Sequence, residues 1–403
     1  MSAERIPGGP VRIALLGSGG SIGRQAVDVA LRHPDLVRVV ALATGSQAGL
    51  LEEQVRLLHP VAASLADDTA RLDLPVGCER VGGAGALEEL ATRADVDMVV
   101  VATGGLVALR SVLAALAAGK VVATANKETL VAGGHLVMPM VRDLAAAVAR
   151  SHPGDPLAEP LGWLRPIDSE HSAIWQCLVG EDRADVEQLL LTASGGPFLD
   201  TPIAGLAAVT PAQALRHPTW TMGAKITIDS ATMANKGLEV IEARWLYEMP
   251  FERISVVIHP QSVVHSAVRF VDGSIKAQLG TPDMRIPIQY ALTYPRRRPS
   301  PAPSVDLFAA ARLDFHEPDE GRFPALRIAR AAGLAGPRAS AALISADEVA
   351  VARFLKGSLD YPGIARLLEA AVATYGTDGS PAPSLAEIAN LDAEVRSFAE
   401  AFR

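Results

Sequence analysis

The stretch VRIALLGSGGSIGRQAV, residues 11–27, reads as a short apolar strand, a glycine loop and the start of an amphipathic helix. Gly17, Gly20 and Gly23 fall at the strand-to-helix junction. There a backbone without side chains lets N–H groups and the helix N-terminus approach a pyrophosphate. The spacing is G-x-x-G-x-x-G, because Ile22 stands at the third required position of G-x-G-x-x-G. Working outward, VRVVALATG (37–45), DVDMVVVATGG (95–105) and VVATANKE (121–128) are further apolar strands, separated by alanine-rich amphipathic segments. Near-continuous apolar strands alternating with helices predict a parallel sheet covered on both faces. Residues 1–150 are therefore expected to form a doubly wound, Rossmann-like α/β domain that binds a dinucleotide. Its second strand ends ALATGSQ, without the acid that would hold a ribose 2′-hydroxyl; Thr44, Ser46 and Gln47 suit a 2′-phosphate better, although no arginine stands there.

Residues 151–298 predict an α+β domain. The proline-rich RSHPGDPLAEPLGWLRP (150–166) reads as a linker into it, with strands expected over EQLLLTASG, AKITID, RISVVIH, VVHSAVRF and SIKAQLG, and a helix over TMANKGLEVIEARWLYE. The basic run YPRRRPSPAPS (294–304) reads as a solvated part of a second linker over 299–312, and helical periodicity over 313–403 predicts a C-terminal helical domain.

With 403 residues and 49% hydrophobic content the chain can bury several cores. Its formal charge of −8 argues against nucleic-acid or anionic-membrane binding, and any anion site must be local. Cys78 and Cys177 have no C-x-x-C spacing, which argues against a disulfide framework and a thiolate zinc site and suits a reducing cytoplasm. The N-terminus shows no export signal, and no uninterrupted apolar run reaches the ~20 residues of a membrane span.

Three groups of residues suggest chemistry. In RPIDSEHSAIWQ (165–176), an extended backbone would point Asp168 and Glu170 the same way, about 6.5–7 Å apart at Cα, and they would repel unless a cation lay between them. Glu239 in SATMANKGLEVIEARW offers a third carboxylate, and three hard oxygen donors suit Mg²⁺ or Mn²⁺; the plainer alternative has these acids capping helices and pairing with arginines such as Arg244. Next, ANKETL places Asn126, Lys127 and Glu128 at a strand's carboxyl end, where open α/β sheets bind ligands, or else starts a surface helix. Finally, Ser194, Ser230, Asn235 and Lys236 are small polar or basic residues able to cradle a phosphate. RHPTWTMG, within a lid expected near 215–224, carries His217, Trp220 and Met222 before a hinge at Gly223; the alternative is a core Trp and Met with a satisfied His.

Taken together, GSGGSIG, ANKE, IDSEH, SGGPF, HPTWTMG, DSATMANKGLE, IEARWL and IHPQSVVHS resemble the 1-deoxy-D-xylulose 5-phosphate reductoisomerases, in order and spacing, from about Val11 to Tyr294. The resemblance implies an NADPH- and Mg²⁺- or Mn²⁺-dependent homodimer of the non-mevalonate isoprenoid pathway, acting on a small phosphorylated sugar. It implies that Gly19, Gly20, Ser21 and Ile22 hold the pyrophosphate and that Gly45, Ser46 and Gln47 lie near the ribose phosphate. Asn126, Glu128 and Gly223 also touch the cofactor. Asp168, Glu170 and Glu239 match metal ligands, Ser169, Ser194, His217, Ser230, Asn235 and Lys236 match substrate contacts, and Lys127 stands at the reacting end. The implied reaction is rearrangement, by retro-aldol cleavage and re-aldolisation, followed by reduction to 2-C-methyl-D-erythritol 4-phosphate. The sequence departs from the family where Gly19 replaces a usual threonine, at the second-strand end, in the longer 150–166 insertion and in LISADEVAV. Two rival readings are a metal-assisted NADP-dependent dehydrogenase of another phosphorylated hydroxy compound and a non-catalytic nucleotide-binding relative.

Overall fold

Seven strands form one parallel sheet: β1 Val11–Leu16, β2 Val37–Thr44, β3 Ala62–Leu65, β4 Glu79–Arg80, β5 Met98–Val101, β6 Val121–Thr124 and β7 Leu164–Pro166, in the order β4-β3-β2-β1-β5-β6-β7. This computed structural model describes residues 9–377 and 382–403; residues 1–8, part of the stretch read for an export signal, lie outside them. The strand order reverses at β1, and the loop after β1 opens at that switch point, where doubly wound sheets take their ligands. Ile13, Ala14 and Leu15 are all fully buried, so both faces of β1 are covered, as the continuous apolar run predicts.

The described chain divides into two compact units, and neither is contiguous in sequence. The sheet belongs to the first, made of residues up to 126, 136–172 and 283–303. The last segment joins it for physical reasons: Ile288, Ala291 and Leu292 enter its hydrophobic core, Arg285 pairs with Asp28 at 3.1 Å, and the His33 ring lies 3.1 Å from the Gln289 side-chain oxygen. The expected domains were instead contiguous, with boundaries at 150 and 298.

The 150–166 insertion is more than a linker. It ends in β7, an edge strand on β6, where Pro166 lacks a donor at little cost. The extended reading of the following IDSE is also corrected: a helix, Ser169–Leu178, starts at once, and Asp168 begins it. The Asp168 carboxylate accepts from the Glu170 N–H at 3.3 Å and its carbonyl from the Ser172 N–H at 2.8 Å.

The second unit comprises 127–135, 173–282 and 304–403. Its sheet, β8 Val186–Ala193, β9 Ile254–Ile258, β10 Val264–Phe270 and β11 Ile275–Leu279, runs β11-β10-β8-β9, with β8 and β9 parallel and β10 antiparallel to both neighbours. AKITID is not a strand. It lies in the helix Ala224–Thr232, where the alternating Ile-Thr-Ile pattern is outweighed by an i,i+4 pair, Lys225 to Asp229 at 2.6 Å, and by burial of Thr227, Ile228 and Asp229 together. Met233, at φ 59°, turns the chain directly into the helix Ala234–Tyr247. Four helices, Pro324–Ala335, Pro337–Leu355, Tyr361–Tyr375 and Leu385–Ala401, fill the C-terminal region as expected, and a short helix, Leu307–Ala310, lies within the expected linker.

The helix Lys127–Ala149 is long and apolar enough to cross a membrane, but Leu130, Val131, Val137, Met138 and Val141 are buried within protein. In the second unit it packs so closely on the Trp245 indole that a Cβ on Gly134 would stand 2.5 Å from it.

Lys225 ties three helices of this unit together: its ammonium is 2.6 Å from both Asp229 and Asp347 and 4.0 Å from Glu128. Burial, then the neighbouring Asp347, push the Asp229 carboxyl up to about 8 from its ordinary 3.8. Because the folded state binds this proton more tightly than the unfolded chain, the group's contribution to stability is full in acid and declines as pH rises from about 4 to about 8. Asp229→Asn is expected to flatten the pH dependence of Tm in that window, which thermal melts at pH 5 to 8 would read; an unchanged slope would place the titration elsewhere.

Candidate active site

The glycine loop follows β1 because nothing larger fits. Gly17 has φ +95° and a Cβ there would stand 2.5 Å from the Ala102 backbone, while one on Gly23 would come within 2.2 Å of the Gly17 carbonyl oxygen. An alanine inside a helix normally gains about 1 kcal/mol over glycine, but a contact this close to fixed backbone outweighs that. Gly20, Ser21 and Ile22 form the entry to the helix Ser21–Arg32, with Gly20 as N-cap. Behind them the buried Ser18 Oγ and Thr103 Oγ1 have no hydrogen-bond partner among the described residues. Exposed donors at a helix start with unspent hydroxyls nearby fit a pyrophosphate.

Gly19 is explained by Thr44. A Cβ at Gly19 would meet Thr44 Oγ1 at 2.3 Å, so the β2 threonine occupies the space of the side chain usual in the loop. The Gly19 carbonyl accepts from Arg24 Nε at 3.0 Å and from Gln47 Nε2 at 3.5 Å. Gln47, with Gly45 and Ser46, lies at the end of β2, so Arg24 brings a base to the region where the second-strand end itself carries none. The overlooked signal was its place in the first helical turn: the side chain folds back toward the loop.

At the end of β6, Asn126 donates from Nδ2 to the carbonyls of Thr103 and Gly105, both at 2.9 Å, and thereby fixes the loop after β5. Lys127 and Glu128 open the next helix and are both buried.

In the first unit, Asp168 and Glu170 present carboxylate oxygens within 4.8 Å of one another, and Ser169 Oγ donates to Glu170 at 2.6 Å. In the second unit, Glu239 is 0% exposed on the helix Ala234–Tyr247. It accepts from Asn235 Nδ2 at 2.5 Å and from the Lys236 ammonium, and Lys127 lies 3.7 Å away. The positive charge that Glu239 requires thus comes from two lysines and not from Arg244. Hard carboxylate oxygens without His or Cys donors fit Mg²⁺ or Mn²⁺.

The phosphate candidates gather in the second unit. β8 ends at Ala193, and Ser194 begins a turn in which Gly195 and Gly196 have φ +83° and +67°. A Cβ on Gly196 would stand 2.8 Å from the Ser230 carbonyl oxygen, so glycine lets this turn lie against the end of the helix that carries Ser230. His217 Nδ1 accepts the backbone N–H groups of Thr219 (3.1 Å) and Trp220 (2.9 Å), which assigns its proton to Nε2, 2.9 Å from Ser194 Oγ. Ser194 Oγ also accepts from the Gly196 N–H at 3.2 Å. With both acceptor positions engaged, its own proton is available to an anion. Burial lowers the His217 pKa and keeps this arrangement neutral at its centre. Asn235 Oδ1 is buried without a partner among the described residues, an acceptor that fits a sugar hydroxyl. Of the lid sequence 215–224, residues 215–223 are irregular between the helices Pro211–Ala214 and Ala224–Thr232, and Gly223 caps the second.

A family model of 1-deoxy-D-xylulose 5-phosphate reductoisomerase matches residues 13–134, and models of the C-terminal domains of these enzymes match 164–247 and 279–398. A 1-deoxy-D-xylulose 5-phosphate reductoisomerase of Pelotomaculum thermopropionicum is 47% identical over 392 residues, covering 96% of this chain and 97% of that protein. One from Thermomicrobium roseum is 46% identical over 388 residues, covering 96% of each. Among solved structures, the reductoisomerase from Zymomonas mobilis in complex with NADPH superposes with a TM-score of 0.85 at 38% identity, covering 97% of this chain and 98% of that one. A reductoisomerase in complex with NADPH, fosmidomycin and magnesium gives 0.86 at 38% identity with the same coverage.

Proposed function

The chain belongs to the 1-deoxy-D-xylulose 5-phosphate reductoisomerase family, and on that premise we propose that it converts 1-deoxy-D-xylulose 5-phosphate into 2-C-methyl-D-erythritol 4-phosphate for isoprenoid biosynthesis, with NADPH and a divalent metal. The observation that carries this reading is the coexistence of a cofactor loop, acidic oxygen donors and a preorganised phosphate cradle in a chain related over nearly its whole length. When bound, the divalent cation polarises the substrate's ketone and hydroxyl oxygens and NADPH supplies hydride.

The chain's own residues bind and orient. Asp168, Glu170 and Glu239 are the proposed metal ligands. Ser194 donates its hydroxyl proton to the substrate phosphate, with His217 fixing its direction; Ser230 and Lys236 complete the cradle, and Asn235 and Ser169 face the sugar hydroxyls. Phosphate binding away from the reacting carbons supplies energy for closing 215–224 over the site, where Trp220 and Met222 exclude water. Lys127 holds an ammonium beside Glu239 at the reacting end.

For the cofactor, Gly19, Gly20, Ser21 and Ile22 take the pyrophosphate, and Gly45, Ser46, Gln47 and Arg24 take the 2′-phosphate. Asn126, Glu128 and Gly223 line the remaining cofactor contacts. Arg24→Ala is expected to raise the KM for NADPH about 10-fold or more with little change in kcat, and steady-state titration checks it. An unchanged KM would remove Arg24 from the 2′-phosphate. The proposal includes a homodimer in the cytoplasm, as the family resemblance implies.

The decisive assay is NADPH consumption with 1-deoxy-D-xylulose 5-phosphate, with and without chelator. The account expects turnover that chelator stops and Mg²⁺ restores, and loss of turnover on the sugar lacking phosphate. Oxidation of other phosphorylated hydroxy compounds, without activity on this substrate, would favour the dehydrogenase instead.

A further inference from the structure

The first unit also holds a cavity of about 740 Å³ remote from the glycine loop. Val11, Met98 and Val121, the first residues of β1, β5 and β6, line it, so it lies at the strands' N-terminal ends, whereas the cofactor loop follows their carboxyl ends. Its charged lining is Arg12, Lys120, Arg165, Arg296 and Arg298 against Asp35 and Asp97. Asp97 is engaged by Arg12 through a forked pair at 2.7 and 2.9 Å, which leaves a cationic excess within a chain of formal charge −8.

Arg165 is the most buried of these cations, 2% exposed. Its Nε donates to the Gly162 carbonyl at 3.0 Å and one Nη to the Ala291 carbonyl at 2.8 Å, and its guanidinium carbon sits 5.4 Å from the Tyr294 ring centre. No carboxylate pairs with it among the described residues, and burial lowers it to about 10, so it stays charged at neutral pH. A purely structural role, tying β7 to the short helix Pro160–Trp163 before it and to the helix Arg285–Thr293, accounts for the two carbonyl contacts. It does not account for four further cations around the same space. Two of them come from the basic run that reads in sequence as solvated linker. Their backbone is fixed: Thr293 Oγ1 donates to the Arg296 carbonyl at 2.9 Å and Gln289 Nε2 to the Arg298 carbonyl at 2.8 Å.

We propose that this cavity binds a small organic phosphate, its phosphate held by Arg165, Arg296 and Arg298 and its organic part lying against Leu36, Trp163 and Leu292. Guanidinium groups suit phosphate through charge-assisted, paired hydrogen bonds, and a buried cation lacking a carboxylate is completed by one. The site is separate from the proposed substrate phosphate cradle, which draws on Ser194, Ser230 and Lys236.

Calorimetric titration of inorganic pyrophosphate into the full-length, NADPH-saturated protein, in chelator, tests this. One saturable site is expected beyond any binding in the substrate phosphate cradle, which Lys236→Ala weakens. Binding should weaken about 10-fold or more in the Arg296→Ala, Arg298→Ala double variant, vanish in Arg165→Met and persist in Lys236→Ala. If Arg165→Met fails to fold, the double variant decides, since both its arginines are exposed. Absence of saturable binding, or binding that the double variant keeps undiminished, overturns the proposal.

Discussion

Glu239→Gln is expected to lower turnover at least about 10³-fold while leaving the Kd for NADPH within about twofold, because a neutral amide removes a charge from the proposed metal ligands but nothing from the dinucleotide loop. Glu239 is fully buried, and its carboxylate is the shared partner of Lys236 and Lys127. Replacing it leaves two buried ammonium groups facing an amide, so a loss of several kcal/mol of stability accompanies the loss of activity. Thermal melts separate the two effects. A folded variant that binds NADPH normally and turns over slowly supports the assignment; parallel loss of cofactor binding and turnover contradicts it.

Lys236→Ala is expected to raise the KM for 1-deoxy-D-xylulose 5-phosphate about 100-fold, with a smaller change in kcat, since one charge-assisted contact to a phosphate contributes roughly 1.5–3 kcal/mol. Lys236 is 4% exposed and is held by Glu239, so its ammonium is fixed in place before any phosphate arrives. The Ser194–His217 pair sets a comparison: His217→Ala frees the Ser194 hydroxyl to rotate but keeps its donor, and should raise KM less. An unaltered KM in Lys236→Ala would remove that residue from the phosphate cradle.

Much of the fold is legible from Val11 onward, because the alternation of apolar strands and helices carries its own period, and β1, β2, β5 and β6 fall where that pattern places them, whereas β3 and β4, of four and two residues, are too short to show a period. What local pattern cannot show is tertiary competition. AKITID alternates like a strand, yet Lys225 reaches Asp229 and Asp347 only if the segment is helical. IDSE looks extended after a proline, but Asp168 caps a helix there. The proline-rich insertion hides β7 because three residues are too short for a period. At the site, residue types at motif spacing suffice to nominate Ser194, Lys236 and Glu239. The direction of the Ser194 proton, the filling of Gly19's space by Thr44 and the reach of Arg24 all depend on contacts distant in sequence or on side-chain conformation.

The most direct test of the central claim, that Asp168, Glu170 and Glu239 together hold one divalent ion, is a Mn²⁺ titration followed by electron paramagnetic resonance on the wild type, Asp168→Asn, Glu170→Gln and Glu239→Gln. The account predicts one bound ion in the wild type and an affinity lowered at least about 10-fold in each variant. Undiminished Mn²⁺ binding in any one of the three would contradict it.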